Sequence, residues 1–341
     1  MKIDLKKPAS SDACSRPNVD NTALLKALLT GPKSGVELAE QLGISRAAIW
    51  KRIEYLRQQG VEIEASEVNG YTLVRPTALL DKAVIMQAID ESLRAQIHSM
   101  TISFETDSTQ TQACHAEPVD EGIEVWLAEY QRAGQGRRGK VWQSPPMSNI
   151  YCSINRRFTC SMADMSGFSL AVAVIIVDAL RALNIAGLSL KWPNDIWLNA
   201  KKCAGLLIQL RGESGGPCDV TLGFGINVSM SKQSGQQIDQ AWTALSLETD
   251  IELERNSMIG NILSHLLQGF KQYEQYGFTA FIKRWQEYDG LIGKHISLAI
   301  GSRLVEGIAQ GVDSDGALVV QQQQGLNRYH SGEVSVRRVH D

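Results

Sequence analysis

The chain has 341 residues, 43% of them hydrophobic, and a formal net charge of −3. The length predicts about two to three domains with ordinary buried cores. The longest apolar run, residues 170–177, is far too short to cross a bilayer, and the polar N-terminus indicates no signal peptide.

Six cysteines are scattered along the sequence, and no two of them form a CxxC pair. This spacing favours neither a zinc site nor a disulfide framework, and it is typical of a protein of the reducing cytoplasm. Residues 1–19 are polar and predict a flexible leader.

Three short helices are predicted next, over residues 20–29, 35–43 and 46–58, the last with Ser45 as its N-cap. Two short helices around a glycine turn are typical of a helix-turn-helix. Two short strands around Asn69-Gly70 then predict a β-wing. The sequence therefore predicts a winged helix-turn-helix domain over residues 20–76.

The third helix is the candidate recognition helix, because residues 45–57 carry four basic side chains against one glutamate. We expect its first residues to face base edges and its later basic residues, Arg57 among them, to meet phosphates. A small helical module that binds protein is the alternative. The predicted DNA-binding residues are Ser45, Arg46, Ala47, Trp50, Lys51 and Arg52.

A linker at residues 75–77 leads into a second predicted domain, residues 77–289. It begins with a helix over 81–89 and a strand that ends in the polar segment 104–110. Strands are expected at 149–158, 188–195, 205–208 and 222–228, and a buried helix at 163–183. A polar stretch at 229–240 is a candidate lid, and helices follow at 254–276 and 278–288.

Within this domain, residues 129–144 (EYQRAGQGRRGKVWQS) combine three glycines with arginine and lysine after an apolar run. Glycine lets backbone amides approach an anion, and arginine supplies planar donors, so the segment predicts an anion-holding loop. It is not a dinucleotide fingerprint, because Pro145-Pro146 prevents a helix from following. It is not a Walker A loop, because Val141 stands where Ser or Thr is needed. A basic surface hairpin is the alternative.

Residues 290–341 predict a small all-β domain, with short strands at 296–300, 304–308, 317–320 and 333–336. Asp313-Ser314-Asp315-Gly316 is a hairpin signal, and residues 321–324 predict a solvated strand end.

Four motifs together resemble the biotin protein ligases. The family has a Ser-Thr-Asn segment, a Gln-x-x-Gly-Arg-Gly-Arg-x-Gly loop, a Lys-Trp-Pro-Asn-Asp motif and a Gly-x-Gly-Ile-Asn strand, in this order. Here they correspond to residues 108–110, 131–139, 191–195 and 223–227, and the last two are complete. The resemblance covers about residues 20–341, and is closest to the bifunctional bacterial form, ligase and biotin operon repressor in one chain.

The resemblance implies an α+β multidomain fold: a winged helix-turn-helix, a central mixed-sheet ligase domain and an SH3-like C-terminal barrel. It implies that biotin and ATP, with Mg²⁺, form biotinyl-5'-AMP, and that biotin then passes to a lysine of a biotin carboxyl carrier protein. The other implied partners are operator DNA and a second copy of the chain, with no membrane.

The same resemblance assigns Lys191 and Arg137 as catalytic residues and a wider set to the binding of biotin and the adenylate. That set is Ser108, Thr109, Gln110, Gln131, Gln135, Gly136, Arg137, Arg138, Lys191, Gly205, Asn227 and Trp242. Two positions depart from the family pattern. Gln110 stands in place of Asn, and Gln135 replaces the first arginine of the loop and so loses a charge.

Two other functions compete with the ligase-repressor interpretation. One is a transcription factor whose ligase-like domain only senses a ligand, and the intact Arg137 and Lys191 argue against it. The other is a lipoate-type acyltransferase of related fold, against which the Lys-Trp-Pro-Asn-Asp motif and the C-terminal barrel favour biotin.

Overall fold

The computed structural model describes residues 21–213 and 215–330, and the backbone of a strand at 334–338. The predicted leader and the first residue of the strand predicted at 333–336 lie outside the described residues. The chain divides into two compact units. One comprises the chain up to Gln58 with Glu62–Pro76, and the other comprises Gln59–Val61 with the chain from Thr77 onward.

The N-terminal unit contains the predicted helices and wing. Its elements are α1 (Asn21–Leu29), α2 (Gly35–Leu42), α3 (Arg46–Gln58), β1 (Ile63–Ser66) and β2 (Gly70–Leu73). Ser34 and Glu37 close a capping box at the start of α2, and Gly43 ends it in the left-handed conformation. Leu24, Leu38 and Ile53 are fully buried in the core of this unit. The predicted winged helix-turn-helix is confirmed.

A seven-stranded mixed sheet forms the centre of the second unit, and its order is β3-β4-β5-β9-β8-β7-β6. Only β3 and β4 pair in parallel. The strands are β3 (Ile97–Thr106), β4 (Ile123–Gln131), β5 (Ile150–Phe158), β6 (Leu188–Lys191), β7 (Asp195–Leu198), β8 (Lys201–Gly212) and β9 (Cys218–Ile226).

Helices cover this sheet. They are α4 (Lys82–Ala88), α5 (Thr109–His115), α6 (Phe168–Ala182), α7 (Arg255–Tyr276) and α8 (Ile282–Tyr288). Residues Leu170, Val174 and Leu180 of α6 are all buried, as the apolar pattern predicts. The sequence therefore correctly identifies α6 as part of the core.

Several element boundaries differ from the sequence predictions, and the helix predicted over 278–288 begins at Ile282, after a 3₁₀ helix at Gly277–Ala280. The helix predicted over 163–183 begins at Phe168, because Met162–Met165 form a separate 3₁₀ turn and Gly167 adopts a φ of 73°. The strand before residues 107–110 ends at Thr106, and α5 begins at Thr109. The polar residues predicted at a strand end therefore lie at the start of a helix.

The C-terminal part is a five-stranded antiparallel sheet of order β13-β12-β11-β10-β14. Its strands are β10 (His295–Ile300), β11 (Arg303–Val312), β12 (Leu318–Gln322), β13 (Gly325–Tyr329) and β14 (Val334–Arg338). The predicted turn at 313–316 is present, with the Asp313 side chain accepting from two backbone amides. The sequence missed β13 and also β7, since residues 188–195 were predicted as one strand that ends in a turn. Across the described residues, no helix combines the length and the apolar character needed to cross a membrane.

Candidate active site and helix-turn-helix

A cavity of about 810 Å³ opens at one end of the seven-stranded sheet. It is lined by the start of α5, the end of β4, the hairpin between β6 and β7, and the last residues of β9. All twelve residues that the sequence assigned to substrate binding line it. The sequence therefore predicted which residues assemble in one place, and their individual roles stay predictions.

One end of the cavity is built from buried hydroxyl and amide groups. The backbone N–H and the hydroxyl of Thr109 donate to Gln131 Oε1 at 2.9 and 3.2 Å. The Thr109 and Ser153 hydroxyls lie 2.9 Å apart. The Ser108 hydroxyl is buried and has no hydrogen-bond partner within the described chain. Since buried polar groups are normally paired, this hydroxyl is free to bond a ligand.

The glycines of the Gly-Phe-Gly strand explain how large side chains reach this cavity. A Cβ on Gly223 would lie 2.3 Å from Gln110 Oε1, and one on Gly225 would lie 2.5 Å from Trp142 Nε1. Any side chain at these two positions would displace the buried Gln110 amide or the Trp142 ring. Glycine in a strand interior often marks such a close approach, and here it gives the motif a steric reason.

The glycine-arginine loop is a compact turn closed by its own backbone. Gly136 N–H donates to the Lys140 carbonyl at 2.7 Å, and Trp142 N–H donates to that of Gly134 at 2.9 Å. The loop contains a single 3₁₀ turn, Arg137–Gly139. It presents no helix, in agreement with the rejection of the dinucleotide fingerprint.

The Arg137 guanidinium points across the cavity and donates to Asn194 Oδ1 at 3.0 Å. Burial, and secondarily the charge of Arg138, lower the pKa of Arg137 from its ordinary value. It still carries a positive charge at neutral pH. Gln135, the departure from the family pattern, donates to Thr111 Oγ1 at 3.0 Å and so contacts α5.

Two of the lysines that line the cavity lie on strands of the sheet, Lys191 on β6 and Lys202 on β8, with β7 between them. Lys191 Nζ lies 5.0 Å from the centre of the Trp197 ring. Lys202 Nζ lies 2.6 Å from Asp195 Oδ1 and 5.5 Å from the centre of the Trp142 ring. Sequence reasoning missed Lys202, Asp195 and Ser153. The only signal for Lys202 was a charged pair directly before the apolar run of β8.

The remaining predicted residues lie on the far side of the cavity. Asn227 is buried and donates to the Thr243 carbonyl at 3.0 Å, so its amide braces the segment that carries Trp242. The Trp242 ring lies against the backbone of Gly235. Residues 237–242 line the cavity. The stretch predicted as a lid is thus a wall of the cavity, and its movement stays a prediction.

The predicted DNA-binding residues of the helix-turn-helix differ in their exposure and in their hydrogen bonds. Ser45 caps α3, its hydroxyl accepting from Ala48 N–H at 3.2 Å. Ser45, Arg46, Ala47, Trp50 and Lys51 are exposed, and Arg52 is half-buried. Arg57 donates to Glu54 at 2.6 Å and to the Ile63 carbonyl at 2.9 Å, and its contact with phosphate stays a prediction.

Comparison with known proteins identifies each part of the chain. Residues 22–72 match a helix-turn-helix domain, 104–227 the biotin/lipoate A/B protein ligase family, and 291–337 the biotin protein ligase C-terminal domain. The architecture is therefore that of a ligase joined to a DNA-binding module.

Bifunctional ligase/repressor BirA of Escherichia coli K12 is 34% identical over 322 residues, which is 93% of this chain and 98% of that protein. The protein of the same name from Bacillus spizizenii is 30% identical, over 89% of this chain and 93% of its own. Biotin protein ligase from Aquifex aeolicus, solved with biotin and ATP, shares the fold with a TM-score of 0.62, 23% identity and coverage of 71% of this chain and 100% of that one. The chain belongs to the bifunctional biotin ligase and repressor family, which confirms the predicted fold class and enzyme class.

Proposed function

We propose that this chain activates biotin with ATP, transfers it to a lysine of a biotin carboxyl carrier protein, and binds operator DNA when it carries the activated intermediate. The observation that supports the catalytic part of this proposal is the positive charge of the cavity. Five cationic side chains line it against two carboxylates, Asp195 and Asp239. The five are Arg137, Arg138, Lys140, Lys191 and Lys202.

The polar end of the cavity suits the ureido ring of biotin. That ring has two N–H donors and one carbonyl acceptor, and the cavity end offers hydroxyl and amide groups of both kinds. Ser108 supports the assignment most directly, because its buried hydroxyl has no partner in the described structure. Thr109 already donates hydrogen bonds to Gln131, and these two residues form a rigid side of the site for the same ring.

In the first step an oxygen of the biotin carboxylate attacks the α-phosphorus of ATP, and the bond to the β-phosphate oxygen breaks with release of pyrophosphate. This step needs no protein nucleophile. It needs two anions held together and positive charge on the reacting phosphoryl oxygens. Arg137, Lys191 and Lys202 are the cations we assign to that task.

In the second step the neutral amine of the acceptor lysine attacks the carbonyl carbon of biotinyl-AMP. An amide bond forms, the bond to the phosphate oxygen breaks, and AMP leaves with the electron pair, while the amine loses a proton. Asn227 and Trp242 are assigned to the side of the cavity that holds the adenylate.

Mg²⁺ would enter with the phosphates of ATP. The cavity offers it few carboxylates, because Asp195 is paired with Lys202 and only Asp239 remains among the lining residues. Such a set fits a metal that keeps most of its water and binds substrate phosphates. Its chemistry there would be to neutralise phosphate charge, and the protein groups would still position both anions.

The repressor part rests on one winged helix per chain, which covers one half-site of an operator. We therefore propose that a homodimer binds DNA and that the adenylate favours the dimer, because a ligand against residues 237–242 could order the polar segment at 229–240. Sedimentation with and without biotin and ATP, with operator affinity measured in parallel, tests this. If neither the sedimenting mass nor the operator affinity changed on adding biotin and ATP, the chain would be a ligase without this regulation.

The catalytic proposal is tested with Lys191→Ala, Lys202→Ala and the neighbouring control Lys201→Ala, whose exposed ammonium pairs with Glu248. We expect each of the first two variants to slow pyrophosphate release about a hundredfold, the effect of losing one preorganised group at the developing charge. The control should match the wild type. If Lys202→Ala released pyrophosphate slowly and Lys191→Ala released it at the wild-type rate, Lys202 alone would have this role.

If both lysine variants released pyrophosphate at the wild-type rate, the assignment of the cavity as the adenylation site would be wrong. Supplying labelled biotin or labelled lipoate, ATP and a carboxyl carrier domain separates the alternatives. Transfer of lipoate would favour the acyltransferase, and transfer of neither would favour a ligand sensor.

A further inference from the structure

A hydrogen-bonded pair of amide side chains lies at the polar end of the cavity. Gln110, on α5, is buried and lines the cavity. Its Nε2 donates to Oε1 of Gln209 at 2.8 Å. Gln209 lies on β8, is exposed and is not among the lining residues. The position that departs from the family pattern is therefore held by a second amide outside the site.

The orientation of the Gln209 amide follows from its two neighbours. Its Oε1 accepts from Gln110 Nε2 and also from the Cys114 thiol, at 2.6 Å. The oxygen of Gln209 thus faces α5, and the NH₂ group of Gln110 turns toward it. The Thr221 carbonyl, a backbone acceptor 3.5 Å from the same nitrogen, favours this orientation of the Gln110 amide.

The Gln110 carbonyl oxygen consequently points the other way, toward Ser153, whose hydroxyl donates to it at 3.2 Å. The Thr109 hydroxyl lies 2.9 Å from that of Ser153 and donates its own proton to Gln131 Oε1. The hydroxyl protons of Thr109 and Ser153 therefore go to the amide oxygens of Gln131 and Gln110, respectively. The missing side chain at Gly223 leaves the space in which this oxygen lies.

We propose that Gln209 is a positioning residue for substrate selection. By fixing the amide of Gln110, it makes this end of the cavity an acceptor, so that the site selects a ligand with a ring N–H donor, such as a cyclic urea. The inference rests on the proposed binding of biotin in this cavity, and adds how the chain recognises one edge of that ring.

Gln209→Leu and Gln209→Glu test it. Leucine removes the acceptor, whereas glutamate keeps an oxygen facing the Gln110 NH₂ group and should restore the wild-type behaviour. Gln324→Leu, at an exposed glutamine of the turn between β12 and β13, is the control. The measurements are the dissociation constant of biotin without ATP, the same constant for biotin methylated on a ring nitrogen, and the KM and kcat of adenylate formation.

We expect Gln209→Leu to weaken biotin binding and raise its KM about tenfold, the effect of roughly one hydrogen bond. The KM for ATP and the kcat should stay within about twofold, because the reacting atoms lie elsewhere in the cavity. The preference for biotin over the methylated analogue should shrink by about the same factor, and Gln209→Glu should recover both values. A merely structural role would not produce this pattern.

Equal weakening by leucine and glutamate, or an unchanged preference in Gln209→Leu, would overturn the positioning role. A wild-type protein that bound no biotin would instead contradict the proposed function, so the two failures are distinguishable. Melting temperatures of all variants identify any loss of folding, and Gln209→Ala serves as the second acceptor-free variant if leucine disturbs β8.

Discussion

At the scale of single residues, Lys191 and Lys202 line the same cavity but contact different neighbours. Lys191 rests on an aromatic ring, whereas Lys202 forms an ion pair with Asp195 in which both side chains are about 15% exposed. An ion pair of this burial holds an ammonium in place, whereas exposed pairs contribute little. We therefore regard Asp195 as the residue that directs Lys202 into the cavity.

Asp195→Asn tests this role. The substitution removes the charge that orients Lys202, and we expect adenylate formation to slow about tenfold, equivalent to roughly 1.4 kcal/mol of barrier. Pyrophosphate release is the measurement. Glu248→Gln, which breaks the neighbouring pair with Lys201, is the matched control and should react normally. If Asp195→Asn released pyrophosphate faster than the wild type, the carboxylate would be restraining Lys202 and not directing it.

Sequence reasoning located the cavity well at this scale because its motifs are local. Each motif lies at the end of a strand, in a turn or at the start of a helix, and the sheet brings these segments together. Lys202 and Ser153 were missed for a different reason. They occupy strands whose apolar pattern carries no motif at their positions, and only the pairing of β7 with β8 and of β4 with β5 brings them to the cavity.

At the scale of elements, the glycine-arginine loop keeps its shape through its own backbone bonds and two consecutive left-handed residues, Arg138 at φ 58° and Gly139 at φ 71°. The side chains of the loop are therefore not needed to keep its shape and can vary. Gln135 contacts α5 through Thr111, and Lys140 is exposed and lines the cavity. An arginine at position 135 would add a cation to the same wall.

Gln135→Arg should therefore slow release of the adenylate. A charged donor contributes about 1.5–3 kcal/mol against roughly 1 for a neutral one, and a difference near 1 kcal/mol is about fivefold in the dissociation rate. Transfer to the acceptor should change little. If Lys140 already supplies the charge, Gln135→Arg will have no effect and Lys140→Ala will speed release. Unchanged off-rates in both variants would show that the loop does not clamp the intermediate.

The errors among the predicted elements have physical causes. Helix α5 has seven residues and a Ser108 N-cap without a side-chain hydrogen bond, so little in its sequence marks its start. The helix predicted from residue 163 is interrupted because Ser161 and Asp164 close a capping box of their own. Apolar periodicity continues across such a break and cannot reveal it.

At the scale of the whole molecule, distant segments meet beside the site. Arg255, buried at the start of α7, donates to Glu129 at 2.8 Å and to the carbonyls of Asn149 and Ala78. Glu129 stands two residues before Gln131 on β4. These partners are more than one hundred residues from Arg255 in sequence. No local pattern predicts such contacts, so this network could not be predicted from the sequence.

The C-terminal sheet reaches the site through a second contact of this kind. The Trp192 indole N–H is buried and donates to the Gly316 carbonyl at 3.0 Å, from the turn between β11 and β12. Nearby, Ser166 Oγ donates to the Asp315 carbonyl at 2.6 Å, and Gly290 N–H donates to that of Leu190 at 2.8 Å. Trp192 follows Lys191 directly, so the C-terminal sheet supports the hairpin that carries Lys191 and Asp195.

Trp192→Phe removes the indole donor and keeps an aromatic ring in the same place. The Gly316 carbonyl loses its partner, which costs about 1–3 kcal/mol. We expect a lower melting temperature, by roughly 2–4 °C for each kcal/mol in a unit of this size. At a temperature where the variant stays folded, adenylate formation should also slow, because the hairpin loses its support. Trp50→Phe, at an exposed tryptophan, is the control for stability. A destabilised variant with normal adenylation would show that the C-terminal sheet stabilises the fold without positioning the active-site hairpin.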